Sequence, residues 1–144
     1  MSTETNKAII RRYIDQMWNN GRLDLAEEFF VENVIPHGVA PVPGLEALDL
    51  VKNGIATVRA ALPDFQITLH DLIAEGDLVV NRWSGTATHQ GELMGMPGTG
   101  KQITMSGVGI HRLVNARIVE LWSLTDNLSL MQQLGAIPMV AESR

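Results

Sequence analysis

The apolar residues of this chain change period once, near Pro63–Asp64, and that switch constrains the fold more than any other feature. Before it they recur every three or four residues, as on one face of a helix; after it they alternate, as in half-buried strands. In "TNKAIIRRYIDQMWNN" at 5–20, Ile9, Ile10, Tyr13, Met17 and Trp18 share a helical stripe, and Gly21 suits a left-handed stop. "RLDLAEEFFV" at 22–31 reads as a short second helix with Leu25, Phe29 and Phe30 inward. "NVIPHGV" at 33–39 contains Pro36, which suits an edge strand or a bulge. A third helix begins after Pro43–Gly44, carries Leu45, Leu48, Val51, Ile55 and Val58, and stops at Pro63.

Four long strands follow. "DFQITLHDLIAEGD" ends in the Glu75–Gly76–Asp77 turn, and "LVVNRWSGTATHQG" returns from it. The glycine-rich "ELMGMPGTG" leads into "KQITMSGVGIHRLV", and Asn115–Ala116 turns the chain into "RIVELWSL". A short helix, "NLSLMQQLG", closes the pattern, and the tail "MVAESR" is expected to fray. Helices first and antiparallel strands after predict an α+β fold with helices on one face of the sheet, as one domain over 1–144. A strongly curved sheet of this kind would enclose a pocket.

At 144 residues and 45% hydrophobic content, the chain can bury a real core. A net charge of -5 argues against nucleic acid or an anionic membrane surface as partner. No apolar run reaches membrane-spanning length, and the N-terminus lacks a signal-peptide pattern. With no cysteine there is no disulfide or thiolate chemistry, which fits a cytoplasmic protein.

"GMPGTGK" at 95–101 has phosphate-loop spacing, but Gln102 follows where Ser or Thr should, and a strand follows where a helix must. The histidines at 37, 70, 89 and 111 lack zinc-site spacing, so no metal centre is expected. His37 follows Pro36 in a short strand that could point into a cone. His89 lies near the glycine-rich loop, and the face of His111 is open. Tyr13, Met17, Trp18, Trp83 and Trp122 suit either plain core or the wall of an apolar pocket. Arg82 sits mid-strand, where a charge needs a partner, a cavity or the outer face.

Asp126 is the carboxylate with apolar neighbours. Strict alternation puts it on one face with Ile118, Glu120, Trp122 and Leu124. If that face is inward, Asp126 is a desolvated acid or base with a raised pKa. Otherwise it caps the last helix.

The segments "YIDQMWNNG" at 13–21, "VIPHG" at 34–38, "LPDF" at 62–65, "AEGDLVVNRWSGTATHQGELMG" at 74–95, "GTGKQI" at 98–103, "IHRLVNARIVELWSLTD" at 110–126 and "LMQQLG" at 130–135 together resemble the SnoaL-like polyketide cyclases, of the nuclear-transport-factor-2-like superfamily. The resemblance implies a cone-shaped α+β barrel with a deep pocket, and a homodimer formed through the sheet. It implies an intramolecular aldol closure without metal or cofactor, with Asp126 as the pocket acid–base and His37 and Tyr13 in the pocket wall. "MPGTGK" and "ARIVE" depart from the family's usual loop spellings.

The expectation is therefore an enzyme acting on an apolar, oxygenated small molecule by aldol closure or isomerisation. Asp126 and His37 would be catalytic. Tyr13, Met17, Trp18, Arg82, Trp83, His89, His111 and Trp122 would bind substrate. Two rivals are an epoxide hydrolase, built on Arg82 with Glu120 as second carboxylate, and a non-catalytic binding or dimerisation module.

Overall fold

The computed structural model describes residues 2–138, so the tail expected to fray lies outside the described residues. Helix α1, Thr3–Tyr13, starts where the Ser2 hydroxyl accepts the Thr5 amide at 3.1 Å, one of the four amides a helix start leaves without a partner. Its inward stripe is Asn6, Ile10 and Tyr13. The chain then widens into a π-helical turn, Ile14–Asn19, where the Asn20 amide donates back to the Asp15 carbonyl at 3.1 Å.

The expected second helix is smaller than its sequence pattern. A 3₁₀ turn, Leu23–Leu25, and one turn of helix α2, Ala26–Phe29, pass into strand β1, Phe30–His37. Phe29 and Phe30 are both buried, one closing the helix and one opening the strand. Helix α3, Ala47–Ala61, buries Leu48, Val51, Ile55 and Ala61.

Strands β2 (Gln66–Glu75), β3 (Leu78–Thr88), β4 (Gln102–Val114) and β5 (Arg117–Thr125) join β1 in one sheet of order β1-β5-β4-β3-β2, and helix α4, Asn127–Leu134, follows. Only the β1–β5 pair is parallel. The α+β expectation, with helices packed against a curved, mostly antiparallel sheet, is met; the sheet stays open, with β1 and β2 as edges.

Bulges in β2 and β5 decide which side chains of those strands face the helices, and β1 also shifts register against β5 between Phe30 and Ile35. In β2 the pairing slips between Leu69 and Asp71, leaving His70 as the extra residue. In β5 it slips between Ile118 and Glu120, leaving Val119 extra. Ile118 and Leu121 are therefore both buried inward, and Glu120, Trp122 and Leu124 face outward. A one-residue slip moves every later side chain to the other face.

The core has two parts. One joins Ile10, Tyr13, Met17, Phe29, Phe30, Ile55 and Ile118 between the helices and the sheet. The other gathers Leu62, Phe65, Ile103, Met105, Leu130 and Leu134 beneath α4 and the β3–β4 loop. Trp18 and Ile67 pack against both. No helix among the described residues is long and apolar enough to cross a membrane.

Gly107 lets the sheet bend: a Cβ there would stand 2.3 Å from the Leu124 carbonyl oxygen and 2.8 Å from the Trp83 ring. Gly107→Ala should cost about 1–3 kcal/mol, since the clash is with backbone that cannot swing aside. A thermal melt checks this; an unchanged Tm would mean the bend tolerates a methyl group.

Candidate functional site: an uncharged polar cluster inside the fold

Strand β3 presents Val79, Asn81 and Trp83 to the helices, and β4 presents Gly107, Gly109 and His111. Asn81 pairs with Gly109 and is 0% exposed. Neither its Oδ1 nor its Nδ2 has a hydrogen-bond partner. His111 is 5% exposed, and its Nδ1 also has none. Both side chains pack directly over Gly109, where a Cβ would lie 2.9 Å from Asn81 Nδ2 and 3.1 Å from His111 Cε1.

Tyr13 stands over this pair from α1, its ring 5.6 Å from the His111 ring and edge-on to it. Its hydroxyl accepts from Trp18 Nε1 at 3.0 Å. Asn6, two turns earlier on the same stripe, is buried with its Oδ1 unpartnered. Met17 completes the wall and is fully buried. Phe65 links Trp18 to Trp83 through two edge-on contacts, at 6.0 and 6.2 Å between ring centres. This aromatic row belongs to the second core, with Phe65 as a member and Trp18 and Trp83 packed against it.

No Asp, Glu, Lys or Arg is buried among the described residues. Burial pushes the Tyr13 phenol up to about 12 and the His111 imidazolium down to about 4. Both groups are thus neutral at pH 7, and the cluster carries no formal charge. His111, held unprotonated at pH 7, is its one member with a free basic nitrogen.

The remaining expected residues lie elsewhere. Asp126 does not face the interior. It is exposed, and its Oδ1 accepts the Ser129 amide at 3.0 Å as the N-cap of α4. The Val119 bulge is the reason, because it turns the expected inward face of β5 outward.

His37 and Trp122 are likewise on the outer face, stacked with ring centres 5.1 Å apart. His37 Nε2 pairs with Glu120 at 2.8 Å, and Glu120 also meets Arg112. Arg82 points outward too and pairs with Asp71 at 2.6 Å. His89 is fully buried beneath the glycine-rich loop, where its Nδ1 meets Thr99 at 3.0 Å.

Two outer grooves flank Leu124, one of about 500 Å³ over His37 and Trp122, the other of about 420 Å³ beside Arg82 and Asp126. The polar groups named there already have protein partners and stand in water, which screens them. The inner cluster is buried and its free polar atoms have no partner among the described residues, the condition in which a polar atom is most strongly drawn to a ligand. The carboxylate–arginine–carboxylate arrangement of an epoxide hydrolase is not assembled inside, since Arg82 and Glu120 lie outside. No group of three His, Asp, Glu or Cys among the described residues could hold a metal.

Asn81 is not among the residues expected at the site, because the charge of its neighbour Arg82 is the stronger sequence signal. The available signal was parity: Asn81 alternates with Val79 and Trp83, so it shares their inward face.

The family model for SnoaL-like polyketide cyclases matches residues 8–134. The chain belongs to that family. No curated protein matches it. Among solved structures it is similar to a candidate polyketide cyclase from Acidithiobacillus ferrooxidans, 31% identical with a TM-score of 0.79, over 94% of this chain and 99% of that one. It is similar to AclR, a candidate hydroxylase from Streptomyces galilaeus, 28% identical with a TM-score of 0.84, over 98% and 87%. IdmH, a candidate polyketide cyclase from Streptomyces antibioticus, is 28% identical with a TM-score of 0.77, over 90% and 98%.

This SnoaL-like chain should lose stability in mild acid. The His111 pKa is lower folded than unfolded, so the unfolded chain binds the extra proton first. Stability is full above the unfolded value of about 6.5 and falls as pH drops towards about 4. The loss reaches about 3 kcal/mol for a shift of this size. Melts of wild type and His111→Gln across that window check it: the difference between them should shrink as pH falls, and a constant gap would contradict it.

Proposed function

We propose that this protein is a polyketide-cyclase-type acid–base enzyme whose site is the inner cluster of Asn81, His111 and Tyr13. The observation that carries the reading is the Asn81 carboxamide, buried with both polar atoms unpartnered beside an unpartnered imidazole nitrogen. An unsatisfied buried group costs about 1–3 kcal/mol, and a ligand oxygen reaching it would remove that cost.

The cluster's neutrality favours a neutral substrate, because a buried charge there would find no counter-ion. An apolar molecule with two carbonyl groups fits. His111 takes the proton alpha to one carbonyl, and Asn81 Nδ2 donates to the enolate oxygen. The enolate carbon attacks the second carbonyl, forming the ring bond, and the new alkoxide takes the proton back from His111. No atom is gained or lost. Asp126 serves as a cap in this reading, so Asp126→Ala should lower stability by about 1 kcal/mol and leave the chemistry alone.

Proton exchange tests this directly. With an aryl methyl ketone in heavy water, wild type should speed loss of the alpha-proton NMR signal, and His111→Gln should not. Equal rates with and without wild-type protein would leave a binding module, the second reading. The complete burial of the cluster favours that alternative. Asn81→Leu should raise Tm and abolish the exchange together; a lower Tm would show that Asn81 is satisfied.

The outer sheet face suits a second copy of this chain. Leu124 is 69% exposed and stands between two grooves on the same face, a knob beside a hole, as a two-fold interface requires. Leu124→Glu should leave a folded monomer by light scattering where wild type is a dimer; a monomeric wild type would contradict this.

A further inference from the structure

The π-helical turn, Ile14–Asn19, carries an inference that rests on the inner-cluster reading and goes beyond it. In an α-helix a residue five positions on is turned roughly 140° away round the axis. Trp18 is five residues after Tyr13, yet its Nε1 reaches the Tyr13 hydroxyl at 3.0 Å. Only the wider turn brings the two side chains together. Such turns are uncommon and often accompany functional sites.

The turn is held from outside. Arg59 of α3 donates to the Trp18 and Asn19 carbonyls at its end. The Asn19 carboxamide docks on β2 through both atoms, donating to the Ile67 carbonyl at 3.1 Å and accepting its amide at 2.7 Å. Its shape is therefore set by tertiary contacts at the end remote from Tyr13.

The consequence lies in the direction of one proton. An indole N–H can only donate, so the Tyr13 oxygen must accept from it. The phenol's own proton has no acceptor within reach among the described residues; Trp18 is its one hydrogen-bond partner. Tyr13 is fully buried beside His111, so that proton is left for a bound molecule.

We propose that the π-helical turn commits Tyr13 to donate a hydrogen bond to a carbonyl oxygen of the ligand, with Trp18 as the positioning residue. Trp18 touches no reacting atom; it fixes the hydroxyl rotor. The site then holds two donors of different strength, Tyr13 and the Asn81 amide, which suits a ligand with two carbonyl oxygens. Tyr13 takes the electrophilic carbonyl, whose oxygen becomes an alkoxide. Asn81 takes the enolate oxygen.

The infrared carbonyl stretch of a bound aryl diketone, a ketone that offers each donor its own oxygen, tests this. Wild type should shift the band to lower frequency relative to the ketone in an alkane. Tyr13→Phe should lose a component of that shift and bind about tenfold more weakly, as the loss of one good hydrogen bond. Trp18→Phe keeps Tyr13 but frees its hydroxyl, so the band should broaden and the shift shrink. Ketone that fails to bind wild type would overturn the inner-cluster reading. Ketone that binds with the same band in wild type and Tyr13→Phe would overturn the donor role alone. An unchanged band in Trp18→Phe would remove Trp18 as positioning residue.

Discussion

A carboxamide buried without a partner is costly. Asn81 lies fully inside the fold with both polar atoms free, beside the free Nδ1 of His111. Replacing Asn81 with a hydrocarbon of similar size would relieve that cost, so packing alone gives no reason for it. Gly109 withholds the side chain that would collide with both groups, and Gly107 accommodates the Trp83 ring beside them. The sheet's bend, the glycines in β4 and the inward row of β3 are parts of one arrangement.

Electrostatics separates the two faces of the sheet. The outer face holds its charges in pairs: Arg82 with Asp71, Arg112 with Asp77 and Glu120, and His37 with Glu120. The inner face has none, and burial keeps Tyr13 protonated and His111 unprotonated at neutral pH. The proposed inner site would hold polar but uncharged groups, because little solvent competes there. Outside, the apolar Leu124 stands exposed between two grooves.

The change of period at Pro63–Asp64 made the α+β layering legible, and β3, β4 and β5 fall where alternation predicts them. Tyr13, Met17 and Trp18 were legible as an inward helical stripe. Two features were hidden by the assumption of perfect periodicity. The Val119 bulge adds one residue to β5, and that single slip carried Trp122 and Asp126 from the expected interior to the outside. No local sequence cue marks it, since the extra residue is an ordinary valine. The π-helical turn similarly places Trp18 beneath Tyr13, where α-helical counting would not. Asn81 was readable from parity but looked less informative than the charged residue next to it. Family membership fixes the architecture more firmly than it assigns the proton acceptor, because the residue at the expected acid–base position caps a helix here.

The central claim is that the unpartnered carboxamide of Asn81 and Nδ1 of His111 receive a polar guest. A high-resolution crystal structure, with difference density inspected beside both groups, tests it most directly. The account predicts an ordered water or ligand oxygen within hydrogen-bond distance of both the Asn81 carboxamide and His111 Nδ1. Asn81 bonded instead to the protein's own main chain, with only packed hydrocarbon around it, would contradict it.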